Sequence, residues 1–221
     1  MDDKRRLILD QALALVDERG LAAMSMRAVA ERVGLTSMAL YPYVGGKDAL
    51  LDGLVDLLTL ELGHNLGLDR RREPAGDPER GGTLEPGHGR ELGRDAGEDL
   101  AGIDWRRRLL ALGRAVRSLA YAHPGAFPLL LNRSVAGASA SWLVAALRGI
   151  LHDAAVPPDR IPRMARMICA FLLGYTTGEV TGGLPAEPGA GADRGDRPGA
   201  AEFEEDLADL VRLVEATVRV G

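Results

Sequence analysis

Residues 25–47, SMRAVAERVGLTSMALYPYVGGK, read as two short helices joined by a tight turn. Ser25 suits the N-cap of the first, and Met26, Val29, Ala30 and Val33 then repeat at i, i+3, i+4 and i+7 on one face. Gly34 supplies the turn, because a residue without Cβ takes positive φ at little cost. Thr36 or Ser37 caps the second helix, in which Ala39, Leu40 and Val44 pack inward while Met38, Tyr41 and Tyr43 point outward. Two helices at a steep angle, with the second presented to solvent, form the unit that lays a recognition helix in the major groove of DNA.

The side chains left outward suit that task. Arg27, near the start of the first helix, is placed to pair with a phosphate, and Lys47 opens the next helix with a second charge. Thr36 and Ser37 offer hydroxyls and helix-start amides to the backbone or a base edge. Met38 and Ala39 are suited to thymine methyl groups, and the phenols of Tyr41 and Tyr43 to phosphates. The competing reading makes Tyr41 and Tyr43 half-buried packing residues. Pro42 departs from the pattern: it removes the hydrogen bond to the Met38 carbonyl, so the helix is expected to end early or kink there and re-aim Tyr43.

The wider stretch VAERVGLTSMALYPYVGGKDALLDGL resembles the N-terminal domain of the tetracycline-repressor (TetR) family of bacterial transcription regulators. The shared elements are Gly20, the run from Arg27 to Leu35, the run from Thr36 to Val44, and Lys47 to Leu50, within residues 4–62. Farther on, Trp105-Arg106 with Leu109, His123-Pro124, and LGYTTGEV at 173–180 are looser likenesses to the family's ligand domain. The resemblance implies an all-α fold, with an N-terminal three-helix helix-turn-helix domain and a C-terminal helical ligand-binding and dimerisation domain. It also implies a double-stranded DNA operator and a homodimer. By resemblance, Arg27, Thr36, Ser37, Met38, Ala39, Tyr41, Tyr43 and Lys47 correspond to the family's usual DNA contacts.

Charge narrows the mode of binding. The chain of 221 residues carries a formal net charge of −5, which argues against coating nucleic acid through bulk charge. Its first fifty residues balance seven Lys/Arg (Lys4, Arg5, Arg6, Arg19, Arg27, Arg32, Lys47) against seven Asp/Glu. Any DNA binding must rest on placed cations and helix starts. Cys169 is the only cysteine, which excludes an intrachain disulfide and reads as a buried structural thiol rather than a redox sensor. The first twenty residues carry charges within their apolar pattern and no cleavable small-residue site, and no run is long enough to span a bilayer. A cytoplasmic protein without membrane contact is expected.

Outward from the reader, helices are expected at residues 4–19 and 47–62, then at 104–123, within 125–133, from 139 or 141 to 156, at 160–181, and after 200. Residues 67–102 hold many Gly, Arg, Asp and Glu and few large apolar side chains, so they read as a flexible insertion, with Arg70, Arg71 and Arg72 as solvated linker. The expected organisation is a DNA-binding domain at 1–62, a linker at 63–103, and a helical ligand-binding and dimerisation domain at 104–221 with a loop at 185–200. The apolar residues of 160–181 and of the last helix call for more partners than one chain offers, and a four-helix seam between two copies supplies them.

The second half reads as a pocket more than a catalytic site. His64, His123, Phe127, Asn132, Trp142, Phe171 and Tyr175 are the candidate ligand-binding residues, with His64 foremost because it ends the helix between reader and pocket. Taken singly, each is more often a core or capping residue. No metal-ligand spacing, cofactor motif, paired carboxylates or Ser/His/Asp order emerges, so no metal, cofactor or catalytic residue is expected. The reading is a homodimeric repressor released from a palindromic operator by a small-molecule effector. The alternative is an all-helical carrier or enzyme whose N-terminal helices only pack.

Overall fold

The computed structural model describes residues 3–66, 104–132, 138–183 and 199–219, with backbone alone at 138–141. The expected insertion at 67–102, including Arg70 to Arg72, and most of the 185–200 loop lie outside the described residues. The helices are α1 (Asp3–Arg19), α2 (Met26–Arg32), α3 (Ser37–Val44), α4 (Lys47–Asn65), α5 (Trp105–Ala122), α6 (Leu129–Asn132), α7 (Ala138–Asp153), α8 (Ile161–Thr181) and α9 (Ala200–Arg219), with a 3-10 turn at Leu21–Ala23. No strand occurs among the described residues.

The apolar periodicity of each segment becomes its buried face. Ile8, Leu9, Ala12, Leu13, Leu15 and Val16 of α1 are buried against Leu50, Leu54 and their neighbours on α4. Gly53 lets the two helices close, since a Cβ there would stand 2.6 Å from Leu9 Cδ2. α4 runs three residues past its expected end at 62 and works as a beam, packing on α1 and α3 along one half and on α5 and α7 along the other. The reader–linker boundary expected at 62–63 therefore falls inside a helix.

The second body is built on α5, α7 and α8, with α9 lying along α5. Phe203, Leu207 and Val214 of α9 are fully buried there, and Leu207 occupies the space that a Cβ on Gly113 would need. Beneath α9, Arg117 of α5 pairs with Glu179 of α8 at 2.8 Å, both side chains only about a tenth exposed (10% and 9%). Tyr121 and Phe203 lie under the guanidinium at 5.1 and 5.2 Å. Such a desolvated pair fixes how three helices meet more than it adds net stability.

Candidate nucleic-acid interface

Local chemistry sets the reader's shape. Ser25 Oγ accepts from the Ala28 amide at 3.1 Å and starts α2. The helix closes in a left-handed turn at Gly34 (φ 70), where the Leu35 amide reaches back to the Ala30 carbonyl at 2.9 Å. Thr36 Oγ1 then accepts from the Ala39 amide at 3.3 Å and caps α3, so of the two expected caps Thr36 serves. Leu40 and Val44 are buried, and Ala39 half-buried. Met38 is 77% exposed and Tyr41 45% exposed, on the outward face.

The early helix end expected at Pro42 does not occur. α3 continues through it to Val44 and ends where the Gly45 amide donates to the Tyr41 carbonyl at 2.8 Å. Pro42 is itself exposed, so the missing bond to Met38 leaves that carbonyl on the solvent side, where losing a helical partner is least costly.

The other expected contacts divide. Ser37 is half-buried in the first turn of α3, and Lys47 is exposed at the start of α4. Arg27 is exposed but bonds Glu31 one turn on, at 2.9 Å. Arg32 is held by Glu18 and Gln11 of α1 and so fixes α2 to α1 instead of facing outward. Tyr43 is half-buried: Lys4 Nζ donates to its hydroxyl at 3.4 Å and lies 5.5 Å from its ring centroid. Lys4 thus joins the reader's edge from α1. Sequence reasoning missed it because the two residues are 39 positions apart.

Behind the reader, a cavity of about 250 Å³ opens at the end of α4, lined by Leu66, Arg108, Leu112, Trp142, Ala145, Ala146 and Ile150. Its one cation, Arg108, is bonded to Asp153. Of the seven candidate ligand residues only Trp142 borders it. Phe127 is fully buried in the core, and His64 and Asn132 are exposed. Phe171 and Tyr175 stack in a row with Phe203, with ring centroids 5.5 and 5.4 Å apart. Burial, with Glu202 and Glu179 near, pushes the Tyr175 phenol up to about 12, so it stays protonated. Burial likewise pushes up the Cys169 thiol, which is half-buried against the core.

His123 lies elsewhere again. It caps the C-terminus of α5, and its imidazole bridges Asp17 of α1 (Nδ1 to Oδ2, 2.6 Å) and Glu61 of α4 (Nε2 to Oε2, 3.0 Å). The hydrogen bond to Asp17, with the charges of both carboxylates, holds its pKa above the usual histidine range.

A capped two-helix reader with an exposed second helix, carried on an all-helical body, defines a helix-turn-helix protein. The model of bacterial regulatory proteins of the tetR family matches residues 8–54, and that of the tetracyclin repressor-like C-terminal domain matches residues 109–197. The chain belongs to the TetR family. It is 30% identical over 133 residues to the HTH-type transcriptional repressor DrrR1 of Streptomyces coeruleorubidus, covering 60% of this chain and 37% of that protein. It is 27% identical over 189 residues to the HTH-type transcriptional regulator Rv1816 of Mycobacterium tuberculosis, covering 85% of this chain and 61% of that one. The chain thus spans less than two thirds of the length of these relatives. In fold it superposes on Mycobacterium smegmatis BioQ with a TM-score of 0.67 at 20% identity, over 96% of this chain and 98% of that one. A BioQ structure with its double-stranded DNA operator gives 0.65 at 19% identity, over 96% and 98%. No helix among the described residues is long and apolar enough to cross a membrane.

Proposed function

We propose that this protein is a sequence-specific DNA-binding transcriptional regulator, acting as a homodimeric repressor that a small-molecule effector releases from a palindromic operator. The observation that carries it is the asymmetry of α3: Leu40 and Val44 are sealed against the body while Met38 and Tyr41 stand out in solvent. A helix serving only to pack has no reason to present a methionine that way. On this reading Met38 and Ala39 contact base edges, while Thr36, Ser37, Tyr41, Tyr43, Lys47 and Arg27 contact the backbone, Arg27 by exchanging Glu31 for a phosphate.

Dimerisation is supported by the apolar surface on α8 and α9. Met167 is 48% and Leu213 43% exposed, Ala170 and Gly174 are also exposed on α8, and Leu210, Val211 and Val218 are half-covered on α9. The cavity at the end of α4 suits a small, mostly apolar effector, and α4 connects it directly to the reader. An effector must bind the two reader arrangements unequally to release DNA.

Fluorescence anisotropy with duplexes from the gene's own upstream region tests the reading. Selective binding that weakens with salt, and drops in Lys47→Ala, is expected. Equal affinity for scrambled duplex would favour a carrier or enzyme.

A further inference from the structure

We propose that His123 is a positioning residue, a charged latch that fixes the reader helices at one angle on the C-terminal body by holding α1 and α4 together. This rests on reading α2 and α3 as the DNA reader. The geometry demands the charge: both ring nitrogens face carboxylates, which only accept, so only the doubly protonated imidazole donates at both. The three side chains come from three elements, with Asp17 at the end of α1, Glu61 in the last turns of α4 and His123 at the end of α5. Backbone contact reinforces the joint. A Cβ on Gly125 would collide with the Val16 carbonyl, so the turn after His123 lies directly on the C-terminus of α1. Asp17 Oδ1 is buried without a hydrogen-bond partner among the described residues, which leaves the imidazolium as the compensation for that carboxylate.

No other described charge competes for the ring. α1 presents Asp17, while its neighbour Glu18 is bonded to Arg32. α4 presents Glu61, and the turn into α6 adds the apolar Ala126 and Phe127. On α5 itself Arg117 is engaged with Glu179 and Tyr121. Because the bonded state is the charged one, the latch is closed below the ordinary histidine value of about 6.5 and opens as pH rises through the raised folded value. A closed latch presets the spacing of two readers in a dimer, so less freedom is lost when both engage DNA.

Pulsed electron-spin distance measurement on the full chain tests this. Labels go on Ala22→Cys and Arg148→Cys in a Cys169→Ser background, with labelled chain diluted into unlabelled chain. A narrow distance distribution at about pH 6 should broaden at about pH 9. His123→Gln should be broad at both, and Asp17→Asn, which keeps the imidazole, should be broad at the lower pH as well. Distributions that coincide in wild type and both variants at both pH values would overturn the proposal. In parallel, wild-type affinity for upstream duplex should fall at least about fivefold over that range, the low end of typical coupling, and stay nearly level in His123→Gln. Parallel pH profiles for the two proteins would also overturn it. pH-dependent distances without any selective DNA binding would support the latch and refute the DNA reading.

Discussion

Arg117 and Glu179 show what single residues contribute to this molecule. Each is desolvated beneath α9 and the two pair with one another, so removing either takes an ion pair away from a buried charge. Glu179→Ala should cost about 3 kcal/mol in urea unfolding, whereas the paired replacement Arg117→Met with Glu179→Leu should recover most of that. Ala155 is a smaller case. It ends α7 at φ 60, in a left-handed turn closed by the Val156 amide on the Leu151 carbonyl at 3.1 Å. A side chain is disfavoured there, so Ala155→Gly should stabilise by about 1 kcal/mol, visible as a raised melting temperature. At this scale the sequence showed which residues were candidates but not whom they meet. His123 was legible as polar and helix-ending, yet its partners Asp17 and Glu61 lie 106 and 62 positions away, and no local pattern encodes such a meeting.

Elements were the most legible level, because caps and apolar periods are local. Ser25, Gly34 and Thr36 do what their chemistry dictates, and the inward faces of α1, α2, α5 and α7 follow their repeats. Pro42 does not end α3 because position 42 lies near the end of a short helix, where one lost hydrogen bond costs least, and Leu40 and Val44 anchor the helix on either side. Restoring the amide with Pro42→Ala should therefore raise stability only modestly, well below the ~3 kcal/mol of a helix interior, without altering the helix bounds. Thr36→Ala should lower it by about 1 kcal/mol and weaken DNA binding together with it, since the cap sets where α3 begins. α4 outran its expected end where Gly63 lies against the Trp142 side chain of α7, a tertiary neighbour that no local pattern shows.

For the whole molecule, α4 is the common member of two bodies, and under the proposed function a ligand at one end would act directly on the reader at the other. The cavity lies at one end of α4, the reader at the other, and the His123 joint beside it. The cavity's lining was largely hidden from sequence because Ala145, Ala146 and Ile150 carry no polar signature, and a hollow exists only where distant helices fail to meet. Two copies seated through α8 and α9 would complete the arrangement. Met167→Glu, which puts a charge into that face, should turn a dimer into a monomer by light scattering and lower operator affinity steeply. The claim on which all this depends is that α3 reads sequence. Selection of bound duplexes from a random pool tests it most directly. The wild type should enrich an inverted repeat with half-sites about one helical turn, ~34–36 Å, apart, and Met38→Ala should relax selection at a thymine within each half-site. A pool that stays random, with binding governed by salt alone, would contradict the account.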